Sequence, residues 1–300
     1  MTAGSPEGSC AGRRWFVTGA GGMLATDVVA ALAGQAVTAL SRAELDITDP
    51  AAAAEAVAAH AGPGGVVVNT AAHTAVDAAE TAEAEAFAVN AIGAASVAAA
   101  CARVGARLVH LSTDYVVAGS GAGPWPEDTL PAPASAYGRT KAAGEWAVRA
   151  TLPDDAWVLR AAWLYGAAGP CFPRTMLRLE AERDTVAVVD DQRGQPTWTG
   201  EVAAAVLRLV AADAPRGIWH ATAAGSTTWF GLTRRLFALV GADPDRVVAT
   251  TTAAFPRPAP RPVDSVLGHR RWQLSGLAAP RDWDDVLTEQ LPRLAAAWRA

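Results

Sequence analysis

The chain has 300 residues, of which 51% are hydrophobic and 18% are charged, and its formal net charge is -5. This composition excludes a disordered or fibrous protein, because half of the residues are available to build a buried core. The length fits one large domain or two closely joined ones. The acidic balance argues against a general attraction to nucleic acid or to anionic lipid.

The sequence also bears on where the protein works. We find no apolar run of the roughly 20 residues that a membrane-spanning helix needs. The first dozen residues, MTAGSPEGSCAG, lack the apolar core of a secretory signal and are interpreted as a frayed leader. Cys10, Cys101 and Cys171 are scattered, which is typical of reduced thiols and not of a disulfide framework or a zinc site. We therefore predict a cytoplasmic protein and assign none of its residues to a metal site, while the sequence leaves open whether a divalent metal is bound.

A glycine-rich turn follows the first predicted strand, Trp15–Thr18. Gly19, Gly22 and Ala25 form a G-x-x-G-x-x-A pattern, and a helix rich in Ala, Val and Leu continues to about Ala33. Glycines let the backbone pass close to a pyrophosphate, while the unpaired N–H groups of the helix N-terminus attract its charge. The strand, turn and helix together predict a dinucleotide-binding site.

The second predicted strand, Ala36–Leu40, ends at Ser41 and Arg42. An NAD-selective site usually has an Asp or Glu about 20 residues after the first glycine, whereas an Arg suits the 2'-phosphate of NADP. Ser41 and Arg42 therefore favour NADP, although an exposed loop arginine explains Arg42 equally well. Asp46 and Ile47, a few residues later, are expected beside the adenine.

The next predicted elements are a helix, Pro50–His60, a strand, Gly65–Asn69, and the loop 70–77. Small residues directly after a strand leave room at its carboxyl edge, where ligands bind in open α/β sheets. His73 lies in this loop as a catalytic candidate, although a lone histidine in a loop is more often a hydrogen-bonded packing residue. A long alanine-rich helix, about Ala79–Gly105, carries Asn90 as the polar break in its face.

The fourth predicted strand, Arg107–Leu111, brings the hydroxyls of Ser112 and Thr113 to the same edge of the sheet. A loop rich in Gly and Pro, residues 118–134, then leads to a helix that we expect Ser135 to cap. Such a long loop between two candidate catalytic segments favours a functional role.

Tyr137 and Lys141 are four residues apart and therefore share one face of that helix. A nearby cation favours the phenolate, so we expect Lys141 to lower the pKa of Tyr137 from about 10. The Y-x-x-x-K spacing alone equally describes an exposed pair of side chains. The surrounding sheet-edge segments favour a redox site.

Strands and helices alternate up to the fifth predicted strand, Ala156–Arg160, which predicts an α/β fold with a Rossmann-like doubly wound parallel sheet. Beyond Gly166 we expect a smaller α/β region with helices Pro173–Arg183, Glu201–Ala212 and Thr228–Val240 and strands Thr185–Val189, Ile218–Ala221 and Val247–Thr251. Residues 12–166 would mainly bind NADP and residues 167–300 would mainly bind the substrate. We expect residues 185–215, approximately, to return to the first domain.

Several spaced motifs occur in the order typical of the extended short-chain dehydrogenases. The chain resembles this family and, more narrowly, the dTDP-4-dehydrorhamnose reductases and their relatives in antibiotic deoxysugar pathways, including the dihydrostreptose-synthase type. The resemblance extends from about Trp15 to the last helices. It rests on the glycine turn and on NTAAHTAVD (69–77), STDYV (112–116), YGRTK (137–141), RAAWLYG (160–166), DDQRGQPT (190–197) and RPVDS (261–265).

The resemblance implies roles for individual residues. Those matching the catalytic triad are Thr113, Tyr137 and Lys141. Those matching the cofactor site, besides Tyr137 and Lys141, are Gly19, Gly22, Met23, Leu24, Ser41, Arg42, Asp46, Ile47, Ala71, Ala72 and Asn90. Those matching the sugar-nucleotide site are Asp77, Thr113, Asp114, Tyr115, Trp163, Gln195, Pro196 and Thr197. Two departures are Ala25, in place of a third glycine, and Val117, where the family commonly has Phe.

The activity that the resemblance implies is NADPH-dependent reduction of the C4 ketone of a dTDP-4-keto-6-deoxy sugar. NADP(H) would be preferred and NAD(H) possible, and the protein would be a monomer or homodimer without nucleic acid or membrane partners. One alternative is a sugar-nucleotide epimerase or dehydratase, although dehydratases usually have Asp-Glu where this chain has Asp114-Tyr115. Another is a regulatory subunit that binds NADP, which would not need all three catalytic residues.

Overall fold

The structure is a computed structural model that describes residues 12–121 and 123–299. Cys10 and the predicted leader lie outside the described residues, except for Gly12. The strands are β1 (Arg14–Thr18), β2 (Ala36–Leu40), β3 (Val66–Asn69), β4 (Arg107–Thr113), β5 (Ala156–Ala161), β6 (Leu164–Tyr165), β7 (Val186–Val189), β8 (Arg193–Gly194), β9 (Thr197–Trp198), β10 (Gly217–His220), β11 (Thr227–Thr228) and β12 (Val247–Thr250).

The helices match most of the predicted helical segments. They are α1 (Met23–Ala31), α2 (Pro50–His60), α3 (Val76–Ala79), α4 (Glu83–Phe87), α5 (Ala94–Val104), α6 (Ala136–Thr151), α7 (Phe172–Glu182), α8 (Thr199–Ala211), α9 (Trp229–Leu239), α10 (Arg270–Leu274) and α11 (Trp283–Arg299). The two-residue strands β6, β8, β9 and β11 are too short to leave a periodic pattern in the sequence, and they were not predicted.

The central sheet has six parallel strands in the order β10-β5-β4-β3-β1-β2. This confirms the predicted doubly wound parallel sheet. The direction of winding reverses at β1, because β2 lies on one side of it and β3 on the other. Ligands bind at the carboxyl ends of the strands where such a reversal occurs. The glycine turn after β1 and the loop after β3 flank this crevice.

Both faces of the sheet are covered by helices. Helices α1 and α8 pack on one face, where Val17, Val28 and Val206 share a buried core. Helices α2, α5 and α6 cover the other face, where Val57, Val97 and Val148 are buried. Burial on both sides explains why β1 and β3 are almost continuously apolar, as expected for a parallel sheet.

The predicted helix over residues 79–105 is interrupted. It breaks between α3 and α4 and then continues to Val104, with a stretch of π-helix from Ala88 to Gly93. Gly105 ends the helix in the left-handed conformation, with φ of +69°. The π-helical stretch contains Asn90. Alanine favours helix throughout this region, so its sequence does not show where the winding changes.

One helical segment reaches membrane-spanning length. Glu83–Val104 has 22 residues and a mean hydropathy of 1.5, so it is long and apolar enough to cross a membrane by length and composition alone. Half of the apolar window is buried within the protein. Val97, Ala98 and Cys101 from this segment pack into the core beneath the sheet. These apolar side chains therefore contribute to a protein interior.

A separate buried core lies in the second half of the chain. Strands β7 and β12 pair in parallel, and Val186, Leu236 and Leu291 pack together with side chains from α7 and β6. Helix α8 and strand β10 instead join the main sheet and its core. The division of the chain into two domains near residue 166 stays a prediction.

Candidate active site

The glycine turn after β1 forms one wall of a cavity of about 570 Å³. Gly19 and Gly21 have φ of +80° and +86°, a region that side chains other than glycine rarely adopt. A Cβ on Gly19 would lie 2.8 Å from the backbone nitrogen of Ala71. The turn after β1 and the loop after β3 therefore approach each other as closely as their backbones allow.

Helix α1 begins at this turn, with Gly22 as its N-cap residue and no side-chain cap from the described residues. Met23 and Leu24 follow and line the cavity. An uncapped helix N-terminus offers backbone N–H groups and a positive dipole to an anion. The cradle and its donors fit a pyrophosphate, as the sequence predicts.

The far end of the cavity is formed by the segment after β2. Arg42, Asp46 and Ile47 line it, whereas Ser41 does not. The hydroxyl of Ser41 donates instead to the carboxylate of Glu44 over 2.7 Å. The carboxylate of Asp46 accepts from the backbone N–H and the hydroxyl of Thr48, which lower its pKa. This end therefore contains both a guanidinium and carboxylates.

Ala71 and Ala72 line the opposite wall, but Asn90 does not reach the cavity. Its side-chain oxygen accepts from the backbone N–H of His73 at 2.8 Å. Its amide nitrogen donates to the backbone oxygen of His73 and to the hydroxyl of Thr140. Asn90 thus joins the loop after β3 to helix α6. We assign it a positioning role, and direct contact of Asn90 with a cofactor stays a prediction that this arrangement does not favour.

The three predicted catalytic residues converge at the carboxyl edge of β4. Thr113 is the last residue of that strand, and Tyr137 and Lys141 lie one turn apart on α6. Tyr137 and Lys141 line the cavity together with Leu111 and Ser112. Ser135 caps α6 as predicted, by accepting from the backbone N–H of Gly138 at 3.1 Å.

The pKa of Tyr137 differs from the sequence-based expectation. Burial raises it to about 12, the charge of Asp114 acts in the same direction, and a hydrogen bond with Thr113 opposes the rise. Lys141 does not offset this rise, because its ammonium donates to the backbone oxygen of Leu111 over 2.6 Å. The expectation that Lys141 lowers this pKa is therefore wrong for this structure, and Tyr137 is a neutral phenol at pH 7.

Lys141 itself is almost fully buried. Burial lowers its pKa to about 8, and the carboxylate of Glu145 partly opposes the change. Glu145 forms a buried, bidentate ion pair with Arg160 and accepts a hydrogen bond from Ser112 at 2.6 Å. This network connects β4, β5 and α6, the elements that carry Thr113, Tyr137 and Lys141 or lie beside them.

Asp114 and Tyr115 follow Thr113 in a short 3-10 turn. Asp114 is 2% exposed, and its carboxylate accepts from the hydroxyls of Thr113 and Ser265. Burial raises the pKa of Asp114 to about 6. The ring of Tyr115 meets that of Tyr137 edge-on, with centroids 5.5 Å apart. Asp114 thus links Thr113 to Ser265 beneath the site, while Tyr115 lies against the phenol of Tyr137.

Asp77 is held by two arginines that the sequence did not associate with it. Its carboxylate accepts from Arg257 at 2.6 Å and from Arg261 at 2.8 Å. Burial raises the pKa of Asp77, but hydrogen bonds from Arg261 and Arg257 outweigh that effect and bring it to about 2. The sequence contains Arg261 within the RPVDS motif, yet it gives no signal that this motif meets the loop after β3.

Trp163 adopts a backbone conformation that is uncommon for a bulky residue, with φ of +46°. Its indole stacks on Trp229, with ring centroids 3.4 Å apart and planes 7° apart. Phe172 packs against Trp229, with ring centroids 4.3 Å apart. The sequence motif includes Trp163 but not Trp229, which lies 66 positions later in an ordinary helix.

The turn Gln195–Thr197 is buried, and its polar groups are engaged within the protein. The amide of Gln195 donates to the backbone oxygens of Ala223 and Leu267 and accepts from the N–H of Leu267. Thr197 is fully buried and connects Gln195 to Ala223. We therefore assign Gln195 and Thr197 a positioning role, and Pro196 lies buried between them.

Val117, the departure from the expected Phe, is also internal. It packs with Val116, Ala142 and Leu267 in a small buried cluster. Its smaller side chain therefore affects the packing behind the site. Among residues 12–121 and 123–299, no group of three or more His, Cys, Asp or Glu side chains is arranged to hold a metal ion.

Comparisons with known proteins agree over most of the chain. The family model described as "RmlD substrate binding domain" matches residues 13–296. The chain is 53% identical over 287 residues to a dTDP-4-dehydrorhamnose reductase of Streptomyces griseus, covering 94% of each chain. It is 51% identical over 288 residues to a probable dTDP-4,6-dihydroxy-2-methyloxan-3-one 4-ketoreductase of Streptomyces antibioticus, covering 95% of this chain and 96% of that protein.

A solved structure shows the same similarity. The crystal structure of dTDP-4-dehydrorhamnose reductase from Bacillus anthracis strain Ames, in complex with NADP, matches with a TM-score of 0.89 at 32% identity. The match covers 94% of this chain and 99% of that chain.

Proposed function

Because the chain belongs to the dTDP-4-dehydrorhamnose reductase family, we propose that it reduces the C4 ketone of a dTDP-4-keto-6-deoxy sugar, with NADPH preferred and NADH possible. The observation that carries this proposal is the convergence of Tyr137 and Lys141 on a cavity that begins at the glycine cradle of Gly19. A proton donor therefore lies in the same cavity as a pyrophosphate-binding turn.

The residues present fit a nicotinamide dinucleotide. A Cβ on Gly19 would clash with the backbone of Ala71, so the turn requires glycine there, and the first residues of α1 line the cavity. The pyrophosphate would be held by the Gly19–Leu24 turn and the adenosine by the segment Arg42–Ile47. Bound there, the nicotinamide supplies the hydride that the ketone carbon accepts.

The chain's own residues manage the proton and the negative charge. Tyr137 is a neutral phenol at pH 7, which is the form that donates a proton to the ketone oxygen. The hydroxyl of Thr113, which donates to the carboxylate of Asp114, would turn to hydrogen-bond the same oxygen as charge develops on it. Lys141 would turn from the oxygen of Leu111 toward the phenol and stabilise the phenolate left behind. Solvent then returns a proton to Tyr137, and the product is an alcohol at C4.

The two residues that follow Thr113 do not favour the alternative of elimination. Asp114 is buried and accepts hydrogen bonds from Thr113 and Ser265. Burial also raises the pKa of Tyr115, the residue that stands where dehydratases usually have Glu, so it stays a neutral phenol. Neither Asp114 nor Tyr115 is therefore a free base for proton abstraction from a sugar carbon, which favours simple reduction.

The test is to incubate the purified protein with NADPH and a dTDP-4-keto-6-deoxy sugar while following absorbance of the reduced cofactor. Stoichiometric oxidation of NADPH with formation of the C4 alcohol supports reduction. A change in sugar configuration without net oxidation would indicate an epimerase. Cofactor binding without any sugar conversion would indicate a regulatory subunit. We propose that the protein acts in the cytoplasm as a monomer or homodimer, and sedimentation of the purified protein measures the second point.

A further inference from the structure

In the turn that follows β2, the side-chain carboxylate of Glu44 is hydrogen-bonded to Ser41. A single carboxylate oxygen of Glu44, Oε2, accepts from the backbone N–H of Ser41 at 2.8 Å and from its hydroxyl at 2.7 Å. These hydrogen bonds lower the pKa of Glu44, so the group is ionised at neutral pH. Glu44 is an exposed residue, and it occupies both hydrogen-bond donors of Ser41.

This turn lies where the adenosine ribose of a dinucleotide is expected. It follows the carboxyl end of β2, next to β1 in the sheet, and Arg42 and Asp46 beside it line the cofactor cavity. In folds of this kind, the residues at this position distinguish a ribose 2'-hydroxyl from a 2'-phosphate. A phosphate prefers backbone N–H and hydroxyl donors close to a guanidinium. Arg42 in the cavity wall and Ser41 just behind it offer that set of donors, but Glu44 already holds the two donors of Ser41.

We propose that Glu44 is an internal competitor for the 2'-phosphate and limits the preference of this chain for NADP(H) over NAD(H). The inference rests on the proposed function only in that a nicotinamide dinucleotide binds in this cavity. A 2'-phosphate must displace the carboxylate from Ser41 or remain beside it at a cost in repulsion. A 2'-hydroxyl carries no charge and meets no such repulsion, while Arg42 still attracts the phosphate. The two effects oppose each other and leave a site that accepts both cofactors.

Binding measurements test this without relying on turnover. Calorimetric titrations with NADP⁺ and NAD⁺, and with 2',5'-ADP and 5'-AMP as adenosine-end probes, would be made on the wild type and on Glu44→Ala and Glu44→Gln. We expect Glu44→Ala to bind NADP⁺ and 2',5'-ADP on the order of tenfold more tightly, as for loss of one charged competitor. Glu44→Gln removes the charge but keeps an acceptor, so we expect a smaller gain. Affinity for NAD⁺ and 5'-AMP should change less than about twofold.

Two further variants sharpen the result. Glu55→Gln removes a charge from an exposed position on the neighbouring helix α2 and should leave all four affinities unchanged. Ser41→Ala should weaken NADP⁺ binding more in the Glu44→Ala background than in the wild type, because only there is the hydroxyl free for the phosphate. Such coupling is the signature of competition for one group.

Equal ratios of NADP⁺ to NAD⁺ affinity in the wild type and both Glu44 variants would overturn the inference while leaving the proposed function intact. Weaker NADP⁺ binding in both variants would also overturn it, because Glu44 would then support the phosphate site. If the folded wild-type protein bound none of the four ligands, both the inference and the proposed function would fail.

Discussion

The predicted cofactor side and the predicted sugar side of the site hold their polar groups in opposite ways. On the cofactor side, the turn at Gly19–Leu24 presents backbone groups to an open cavity. On the sugar side, Asp114, Gln195 and Thr197 are buried, and their hydrogen bonds end on other parts of the protein. The spacing of glycines therefore predicts a backbone turn that can bind a ligand. A motif of polar side chains, in contrast, can indicate hydrogen bonds within the protein as readily as contact with a ligand.

The largest effect is expected from Tyr137→Phe, at the boundary of the two sides. Loss of the proton donor should reduce turnover by roughly 10²- to 10⁴-fold, the range for general acid catalysis. Binding of NADP⁺ should remain near the wild-type level. Tyr115→Phe is the matched control, since it removes the neighbouring phenol and keeps the ring contact. Near wild-type turnover in Tyr137→Phe would show that the proton comes from elsewhere.

Gly19→Ala tests the cofactor side. The new Cβ would lie 2.8 Å from Ala71 and force an unfavourable φ, so NADP⁺ binding should weaken roughly a hundredfold, or about 3 kcal/mol. Gly34→Ala is the control, because Gly34 has a similar φ of +83° but no atom within 4 Å of the added carbon. Titration calorimetry measures the affinities. Equal losses of NADP⁺ affinity in Gly19→Ala and Gly34→Ala would show that backbone strain alone causes the effect.

Gln195→Leu tests the sugar side. Two backbone oxygens and one backbone N–H would lose their partner, so we expect the free energy of unfolding to fall by roughly 3 kcal/mol. Denaturant titration measures this, and Gln273→Leu on the exposed face of α10 is the control. A raised KM for the sugar with unchanged stability would contradict the positioning role and restore Gln195 as a ligand contact.

The smallest effect is a pH dependence. Lys141 has a pKa of about 8 in the folded protein, so its ammonium is lost above that value. We expect turnover at saturating substrates to be level below pH 8 and to fall toward tenfold per unit above it. The same lowered pKa makes the unfolded chain bind more protons between about pH 8 and 10.5, so the Lys141 contribution to stability rises there. Deprotonation of Lys141 therefore does not destabilise the fold, and a fall in turnover above pH 8 would not be caused by unfolding through this group.

Lys141→Arg is the variant that isolates this group, because a guanidinium stays charged over the whole range. Its turnover should be lower at every pH, with the alkaline decline shifted to higher pH. An unchanged decline near pH 8 in this variant would assign the titration to another group. Initial rates over pH 6 to about 10 provide the measurement.

The sheet and the catalytic helix could be predicted because their signals are local. Apolar runs mark β1 and β3, and the spacing of Tyr137 and Lys141 places both on one face of α6. Burial of Tyr137 could not be predicted in the same way, because Tyr137 packs against Ala79, Ala86 and Tyr115, which come from other elements. The predicted direction of the pKa shift of Tyr137 was therefore wrong, although Tyr137 lies on a helix with Lys141 as predicted.

Other features depend on contacts between distant segments. Asp77 meets Arg257 and Arg261 about 180 positions later, and no local pattern connects them. Trp229 joins Trp163 for the same reason. Glu44 is different, because a Ser with a Glu three residues later is the spacing of a capping box, so Ser41 and Glu44 carried a local signal. The interpretation of that turn rested on Arg42, so the hydrogen bond between Ser41 and Glu44 was not predicted.

The main core includes Trp15 near the start of the described chain and Trp272 near its end. Trp272 meets Trp219 edge-on and donates its indole N–H to the backbone oxygen of His220, in edge strand β10. A nascent chain on the ribosome therefore cannot complete its main core until nearly all of the sequence has emerged. Contacts of such long sequence separation slow folding. A fragment ending at residue 166 would lack α8, β10 and Trp272, and we expect it to need the rest of the chain in order to fold.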